Sequence, residues 1–330
     1  MPWIIFLATS AVVVYAALKL AEYGDVIAVR TQLGGLFVGT ILLAGATSLP
    51  ELITSISSFR LGAPDLAAGS FFGSNLVNML LLALVDLANY QVPLLRSQAI
   101  TQTLTAALAA ALMTVATIFI LADVDFVIGW VSVESVILIG LYFGGVWLVQ
   151  QEGKMAAGTA AAAVTPAAGF PSLRRGVVGF AAAAAVLVLV VPAMVQAASE
   201  IALLTGLGAG FVGTALLSIV TSLPELLAAW AAVRLGAPEM AVGNLFGSSV
   251  FNMLSLGLAD FFYLQGSFLN DVSNDFALVS LLGLLLTMMA LVGNIARVER
   301  RILFIELDAV AIVLCYVLSM FLLYLRGIGV

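Results

Sequence analysis

The chain has 330 residues, of which 63% are hydrophobic and only 9% are charged, and its mean hydropathy is +1.20. A soluble domain is about half apolar and roughly a quarter charged, so this composition excludes a soluble globular protein and indicates a membrane protein. The net charge of −6 argues against binding to nucleic acid, and the lack of histidine excludes a histidine-based metal site.

Ten apolar segments follow one another along the chain, and Gly, Pro and charged residues separate them. A helix that crosses the bilayer needs about 20 apolar residues, so each segment is predicted to span the membrane. The predicted helices cover residues 2–20, 34–59, 65–88, 97–121, 126–149, 175–199, 207–233, 239–263, 274–295 and 302–325.

The chain is therefore predicted to be an all-α, polytopic membrane protein with no room for a soluble domain. Residues 150–174, rich in Ala, Gly and Thr, are typical of a flexible linker. They divide the chain into a first five-helix repeat at residues 1–149 and a second five-helix repeat at residues 175–330.

The basic residues divide unequally between the two sides of the predicted membrane protein. Of the 12 Lys and Arg residues, only Arg60 and Arg326 lie on the side reached after even-numbered helices. Loops rich in Lys and Arg stay in the cytoplasm, so the linker is predicted to be cytoplasmic and both termini extracytoplasmic. The residues on the cytoplasmic side are Lys19, Arg30, Arg96, Lys154, Arg174, Arg175, Arg234, Arg297, Arg300 and Arg301.

The two halves of the chain carry the same sequence pattern. Residues 39–90 match residues 213–264 without a gap, at a constant offset of 174, and 26 of the 52 aligned positions are identical. Five helices lie between equivalent points, and an odd number reverses the direction in which the second copy crosses the membrane. The repeats are therefore predicted to be inverted, as in secondary transporters that bind their substrate at the midplane between the halves.

The first repeated motif places a glutamate in the middle of the second and seventh predicted helices. It reads Thr-Ser-Leu-Pro-Glu at residues 47–51 and again at residues 221–225. Proline lacks an N–H, so the carbonyls of Ala46 and Val220 are predicted to lose their helical partners. Carboxylate, hydroxyl and carbonyl oxygens together suit Na⁺ or Ca²⁺, and a bound cation would offset the cost of a glutamate inside the membrane.

The second repeated motif lies in the third and eighth predicted helices, at residues 69–78 and 243–252. Its glycines are four apart, a spacing that lets helix backbones approach closely. Ser74 and Asn78 continue the same helical face. These side chains could serve only in interhelical hydrogen bonds, or their oxygens could bind a cation beside the glutamates.

Two further acids, Asp86 and Asp260, end the third and eighth predicted helices at equivalent positions. Each could guide cations toward the glutamates. The alternative, which the position at a helix end favours, is a carboxylate in contact with water at the membrane interface.

The two copies of T-S-x-P-E, each followed at the same distance by G-S-x-x-x-N, resemble the calcium/cation antiporter superfamily. The resemblance is closest to the sodium/calcium exchanger branch and its prokaryotic members, and it extends over effectively the full chain. It implies a ten-helix exchanger fold in a prokaryotic inner membrane. It also implies a site for Ca²⁺ and Na⁺ formed by the carboxylates of Glu51 and Glu225, by Thr47, Ser48, Ser74, Asn78, Thr221, Ser222, Ser248 and Asn252, and by backbone carbonyls near Ala44 and Ser218.

The chain departs from this family at Asn252, where several sodium/calcium exchangers carry an aspartate. Asparagine resembles a protonated aspartate in shape but supplies no charge. Two carboxylates neutralise one Ca²⁺, whereas three Na⁺ would leave one positive charge without a counterpart. The departure therefore bears on the transport stoichiometry.

The leading hypothesis is a secondary active antiporter that exchanges Na⁺ for Ca²⁺ by alternating access at a midplane site. The alternative is a cation/proton (Ca²⁺/H⁺) antiporter of the same fold, in which protons on Glu51 and Glu225 take the place of Na⁺. An enzyme is a hypothesis of another class, but the sequence shows no activated nucleophile. We therefore expect a transporter without a cofactor that functions as a monomer, with Ca²⁺, Na⁺ or H⁺ and the lipid bilayer as its partners.

Overall fold

The computed structural model describes residues 1–31, 45–89, 100–123, 126–157, 171–296, 301–302 and 305–329. Its helices are Pro2–Thr31, Leu49–Arg60, Pro64–Ala88, Ile100–Ala122, Val133–Ala157, Leu173–Thr205, Ala209–Val212, Ser218–Thr221, Leu223–Arg234, Pro238–Asp260, Phe268–Asp271, Asp275–Ala296 and Leu307–Arg326, with a π-helical turn at Gly213–Leu217. Two antiparallel hairpins pair Val127–Ile128 with Val131–Ser132 and Arg301–Ile302 with Ile305–Glu306.

Nine helices in the described part of the chain are long and apolar enough to cross a membrane. The predicted second span, residues 34–59, is the tenth. It is helical at residues 45–47 and at Leu49–Arg60, whereas residues 34–44 lie outside the described residues. The described helices thus agree with the predicted ten spans.

Three helices run further than their apolar composition predicts. The first ends at Thr31 rather than at residue 20, the fifth predicted span ends at Ala157 rather than at residue 149, and the sixth ends at Thr205 rather than at residue 199. Residues 150–157 of the predicted linker are therefore helical. The predicted ends lie close to charged residues, Lys19, Glu152 and Glu200. Charged residues mark where a helix leaves the hydrocarbon but do not end it, because Lys and Glu are good helix formers.

Two of the predicted helices begin later, because a hairpin precedes each of them. The fifth predicted span starts at Val133 rather than at residue 126, and the tenth starts at Leu307 rather than at residue 302. Most residues of the first hairpin are apolar, so its composition resembles that of a helix. At the tip of that hairpin, Trp130 donates its Nε1 hydrogen to the carbonyl of Phe261 over 3.2 Å.

The prediction that Asp86 and Asp260 contact water is wrong, since both carboxylates are buried, at 2% and 0% exposure. Asp260 accepts the backbone N–H groups of Ser132 at 2.7 Å and of Phe268 at 2.9 Å, together with the Ser132 hydroxyl at 2.8 Å. These bonds join the first hairpin to the segment that follows the helix of Asp260. That carboxylate therefore has a structural role in this conformation.

The structural repeat extends beyond the stretch in which the two sequences are alike. Inside that stretch, the helix Leu49–Arg60 corresponds to Leu223–Arg234, with both ends at the offset of 174. The hairpins agree as well, because the pair Val127 and Ser132 corresponds to the pair Arg301 and Glu306. The two halves therefore share one architecture even where few residues are identical.

The core of the molecule is formed by two helices, Pro64–Ala88 and Pro238–Asp260, which we name the Gly-Asn helices. Most of their residues are buried. Each packs mainly against the Pro-Glu helix of its own half and also contacts the one of the other half; the Pro-Glu helices are Leu49–Arg60 and Leu223–Arg234. The long helices Pro2–Thr31 and Leu173–Thr205 pack against each other.

A glycine contact fixes the distance between the first Gly-Asn helix and the chain before the second Pro-Glu helix. A Cβ at Gly73 would lie 2.6 Å from the carbonyl oxygen and 2.7 Å from the Cα of Thr214. A Cβ at Gly69 would lie 2.6 Å from the carbonyl oxygen of Gly210. Both neighbours are backbone, so neither can move aside as a flexible side chain would.

Gly73→Ala should therefore destabilise the protein by about 1–3 kcal/mol, the usual range for overpacking a buried contact. Gly144→Ala is the matched control, since no described atom lies within 4 Å of a Cβ at that helical position. Thermal melting of both variants in detergent checks this, and equal melting temperatures would show that the contact is not tight.

Candidate cation site

Each glutamate of the repeated motif lies in the first turn of a Pro-Glu helix. The helices start after turns at Ser48 and Ser222, where φ and ψ are close to −90° and 0°. A proline suits the first turn of a helix, because its missing N–H would have no intrahelical partner there. The sequence thus interrupts the helical pattern at a single residue in each half, and in the second half the segments on both sides of it form one span, Ala209–Arg234.

The interruption does not free the carbonyl of Val220, and that prediction is wrong. The carbonyl accepts a backbone hydrogen bond in the turn that ends its short helix. The N–H of Ser222 likewise donates to the carbonyl of Ser218 over 3.0 Å. A tightened last turn satisfies carbonyls that an α-helical pattern would leave open.

The carboxylates of Glu51 and Glu225 are both fully buried. Ser74 donates its hydroxyl to Oε1 of Glu51 over 3.5 Å, and Ser248 donates to Oε1 of Glu225 over 3.2 Å. The Oε2 atoms of both glutamates have no hydrogen-bond partner among the described residues. Buried carboxylate oxygens without a partner are unfavourable, so each glutamate leaves one oxygen suited to a cation or a proton.

The two repeats interlock around these glutamates. The hydroxyls of Ser48 and Ser248 are 3.2 Å apart, and those of Ser74 and Thr221 are 3.4 Å apart. The side chain of Thr221 also faces Glu51, and that of Thr47 faces Glu225. Each carboxylate is therefore flanked by hydroxyls from both halves, so the two halves together form the candidate site.

The two predicted asparagines are also fully buried, one helical turn after Ser74 and Ser248. Asn78 donates its Nδ2 hydrogen to Oγ of Ser249 over 3.3 Å, and Asn252 donates to Oδ1 of Asn75 over 3.1 Å. The Oδ1 atoms of Asn78 and Asn252 have no hydrogen-bond partner among the described residues. Both amides therefore offer a carbonyl oxygen as a possible ligand.

The remaining predicted residues differ in how they are placed. Ser222 is buried, and within the described part of the chain its hydroxyl has no hydrogen-bond partner. Ser218 donates its hydroxyl to the carbonyl of Thr214, and its own carbonyl also accepts the hydroxyl of Thr221 at 3.4 Å. Ala44 lies outside the described residues.

Sequence reasoning missed Asn75 and Ser249, the partners of the two asparagine amides. Both belong to the second motif and occupy equivalent positions, at the offset of 174. They differ in residue type between the halves, so a search for identical repeated residues passes over them. The signal that could have found them is a polar residue at the same buried position in both copies.

The donor set is entirely oxygen: two carboxylates, several hydroxyls and two amide carbonyls. Such hard ligands suit Ca²⁺ and Na⁺, which bind oxygen in flexible geometry. In the described parts of the chain no group of three or more Asp, Glu, Cys or His residues comes together. The fixed negative charge of the site is thus that of Glu51 and Glu225.

Comparison with known proteins supports this description of the chain. The sequence matches the family model described as "Sodium/calcium exchanger protein" over residues 1–150 and 175–325. The Inner membrane protein YrbG of Escherichia coli (strain K12) is 27% identical over 260 residues, which are 74% of this chain and 75% of that protein.

Solved structures of exchangers share the fold. The structure of the H⁺/Ca²⁺ exchanger CAX aligns with a TM-score of 0.75 and 14% identity, over 99% of this chain and 85% of that one. A structure of the sodium-calcium exchanger NCX_Mj aligns with a TM-score of 0.60 and 19% identity, over 97% of both chains. The prediction of an all-α membrane protein with ten helices in two inverted repeats, of the sodium/calcium exchanger type, is confirmed.

Proposed function

Because this chain belongs to the sodium/calcium exchanger protein family, we propose that it is a secondary active antiporter that exchanges Na⁺ for Ca²⁺. One observation carries the proposal. Glu51 and Glu225, one from each repeat, are fully buried and each leaves a carboxylate oxygen without a partner among the described residues. Two such carboxylates balance one Ca²⁺, and the hydroxyls around them replace part of its hydration shell.

The coupling of the two ions follows from the charge of this site. When it is empty, two carboxylates in a fully buried position oppose any rearrangement that keeps them away from water. Either Ca²⁺ or Na⁺ neutralises them and makes the rearrangement possible. Exchange is then obligatory, because the site moves between the two sides of the membrane only when it is occupied.

The predicted ligands take separate roles in this mechanism. Glu51 and Glu225 supply the charge, and the hydroxyls of Thr47, Ser48, Ser74 and Ser248, with Thr221 and Ser222, complete the coordination. Asn78 and Asn252 offer neutral amide oxygens. Every side chain comes from one polypeptide, which supports a functional monomer.

The second candidate is exchange of Ca²⁺ for H⁺. It is favoured by the pair of buried carboxylates, because two protons discharge them as completely as two Na⁺ ions do. A proton, however, needs only the carboxylate oxygen that it binds. The hydroxyls that flank Glu51 and Glu225 can serve Ca²⁺ under either candidate. Na⁺ is preferred as the counter-ion because the two T-S-x-P-E motifs resemble those of the sodium/calcium exchanger branch.

Flux in reconstituted vesicles tests this proposal. We expect an outward Na⁺ gradient to drive accumulation of ⁴⁵Ca²⁺ in vesicles that contain the purified protein. A pH gradient in Na⁺-free buffer should leave uptake at the level of protein-free vesicles. Uptake driven by the pH gradient alone would favour proton exchange instead, and no gradient-driven uptake would exclude both candidates.

The placement of the chain in the cell is part of the same proposal. We place it in the inner membrane of a prokaryotic cell, with the residue 150–174 linker in the cytoplasm and both termini outside. The unequal distribution of Lys and Arg supports this orientation. The linker lies between the two five-helix repeats, residues 1–149 and 175–330.

A further inference from the structure

Two buried hydrogen bonds join the Gly-Asn helices, and each is donated by one of the predicted asparagine ligands. Asn78 donates to Ser249 over 3.3 Å, and Asn252 donates to Asn75 over 3.1 Å. All four residues are fully buried. The two bonds are equivalent under the repeat, since 78 and 252, like 75 and 249, are 174 positions apart.

These bonds determine whether the oxygen or the NH₂ group of each amide remains available to a ligand. A primary amide has one acceptor oxygen and one NH₂ group, and its orientation follows from which of them is bound. In both cases the NH₂ group is bound to the opposite half, and Oδ1 has no hydrogen-bond partner among the described residues. If the amide turned over, it would present N–H groups to a cation.

We propose that Asn75 and Ser249 are positioning residues, which hold the amides of Asn252 and Asn78 with the carbonyl oxygen available to the transported cation. The proposal rests on the proposed function of the site. Neither residue belongs to the predicted ligand set. Each acts through an asparagine of the other repeat, so the orientation of a ligand in one half depends on the packing of both halves.

Asn75 and Ser249 differ in size and type, but they make the same kind of hydrogen bond at equivalent positions. A serine hydroxyl and an asparagine carbonyl share one property, the capacity to accept a hydrogen bond in a fully buried place. Ser249 makes its bond from the position equivalent to Asn75, so a serine at position 75 can reach Asn252 in the same way. A leucine there fills similar space but accepts nothing.

Asn75→Leu should raise the KM for Ca²⁺ about tenfold while the maximal rate changes less than about threefold. The reason is that leucine cannot accept the hydrogen bond that orients the Asn252 amide. In the separate variant Asn75→Ser, which keeps an acceptor, the KM for Ca²⁺ should stay within about threefold of the wild-type value. Na⁺-driven uptake of ⁴⁵Ca²⁺ gives both constants. The rise in melting temperature on adding Ca²⁺ gives an independent measure of binding.

Asn252→Ala provides the decisive background. If Asn75 acts through Asn252, Asn75→Leu should raise the KM no further once Asn252 is alanine. Equal effects in both backgrounds, or an unchanged KM in Asn75→Leu, would overturn the proposal and leave a packing role. If Asn75→Leu fails to fold, Ser249→Ala, whose KM should rise likewise, decides the case. Absence of Ca²⁺ flux in the wild type would instead refute the proposed function itself.

Discussion

Replacing either Glu51 or Glu225 with glutamine should abolish exchange, with a loss of at least about a hundredfold in ⁴⁵Ca²⁺ flux. Both carboxylates are fully buried, so water does not help to compensate the charge of a bound cation. Removing one of them leaves Ca²⁺ with half of its compensating charge. In a low-dielectric site several kcal/mol are lost, and about 2.8 kcal/mol already corresponds to a hundredfold.

The same variants should fold at least as well as the wild type. Glutamine has nearly the shape of glutamate, and it removes a buried charge whose Oε2 atom has no partner among the described residues. A loss of flux with an unchanged or higher melting temperature would therefore separate function from folding. Glu239→Gln is the matched control, since Glu239 is an exposed acid at the start of the second Gly-Asn helix.

The two glutamine variants should also behave alike. Each glutamate is flanked by hydroxyls of both halves, and neither half holds a complete set of ligands. Near-normal Ca²⁺ flux in one variant would show that its carboxylate lies outside the site. The shared-site description would then be wrong, even if the other variant were inactive.

Most of this candidate site could be predicted because its residues occur in both repeats. The glutamates, the hydroxyls and the asparagines are identical at an offset of 174, and chance does not preserve polar residues in two membrane helices. The structure buries these side chains and places hydroxyls next to the two glutamates. Asn75 and Ser249 could not be found by the same route, because their shared property is an acceptor and not a residue type.

The fold was predictable wherever composition determines it and less so where contacts do. Apolar length predicted the spanning helices, but a hairpin such as residues 127–132 has the same composition as a helix. The role of Asp260 depends on Ser132, which is 128 positions earlier in the chain. Nothing near Asp260 in the sequence indicates that a hairpin will cover it, so the burial of its carboxylate could not be predicted.

The number of fixed charges at the site leads to an expected result for transport under voltage. Glu51 and Glu225 balance one Ca²⁺ or two monovalent cations, and Asn252 adds no charge. Residues 34–44, which complete the second predicted span, contain no acidic residue. We therefore expect exchange to be electroneutral, with two monovalent cations for each Ca²⁺.

A third Na⁺ would have to be held by hydroxyl and carbonyl oxygens alone, and its charge would remain uncompensated in a buried site. If it were nevertheless carried, one net charge would cross the membrane in each cycle. That charge is worth about 2.3 kcal/mol per 100 mV, or about a fiftyfold change in the Ca²⁺ accumulation ratio. Vesicles whose potential is set by K⁺ and valinomycin distinguish the two cases. We expect the Na⁺ gradient that just balances a given Ca²⁺ gradient to stay the same when the potential is changed. A shift of that balance with voltage would require a third Na⁺, but it would leave the two-glutamate site in place.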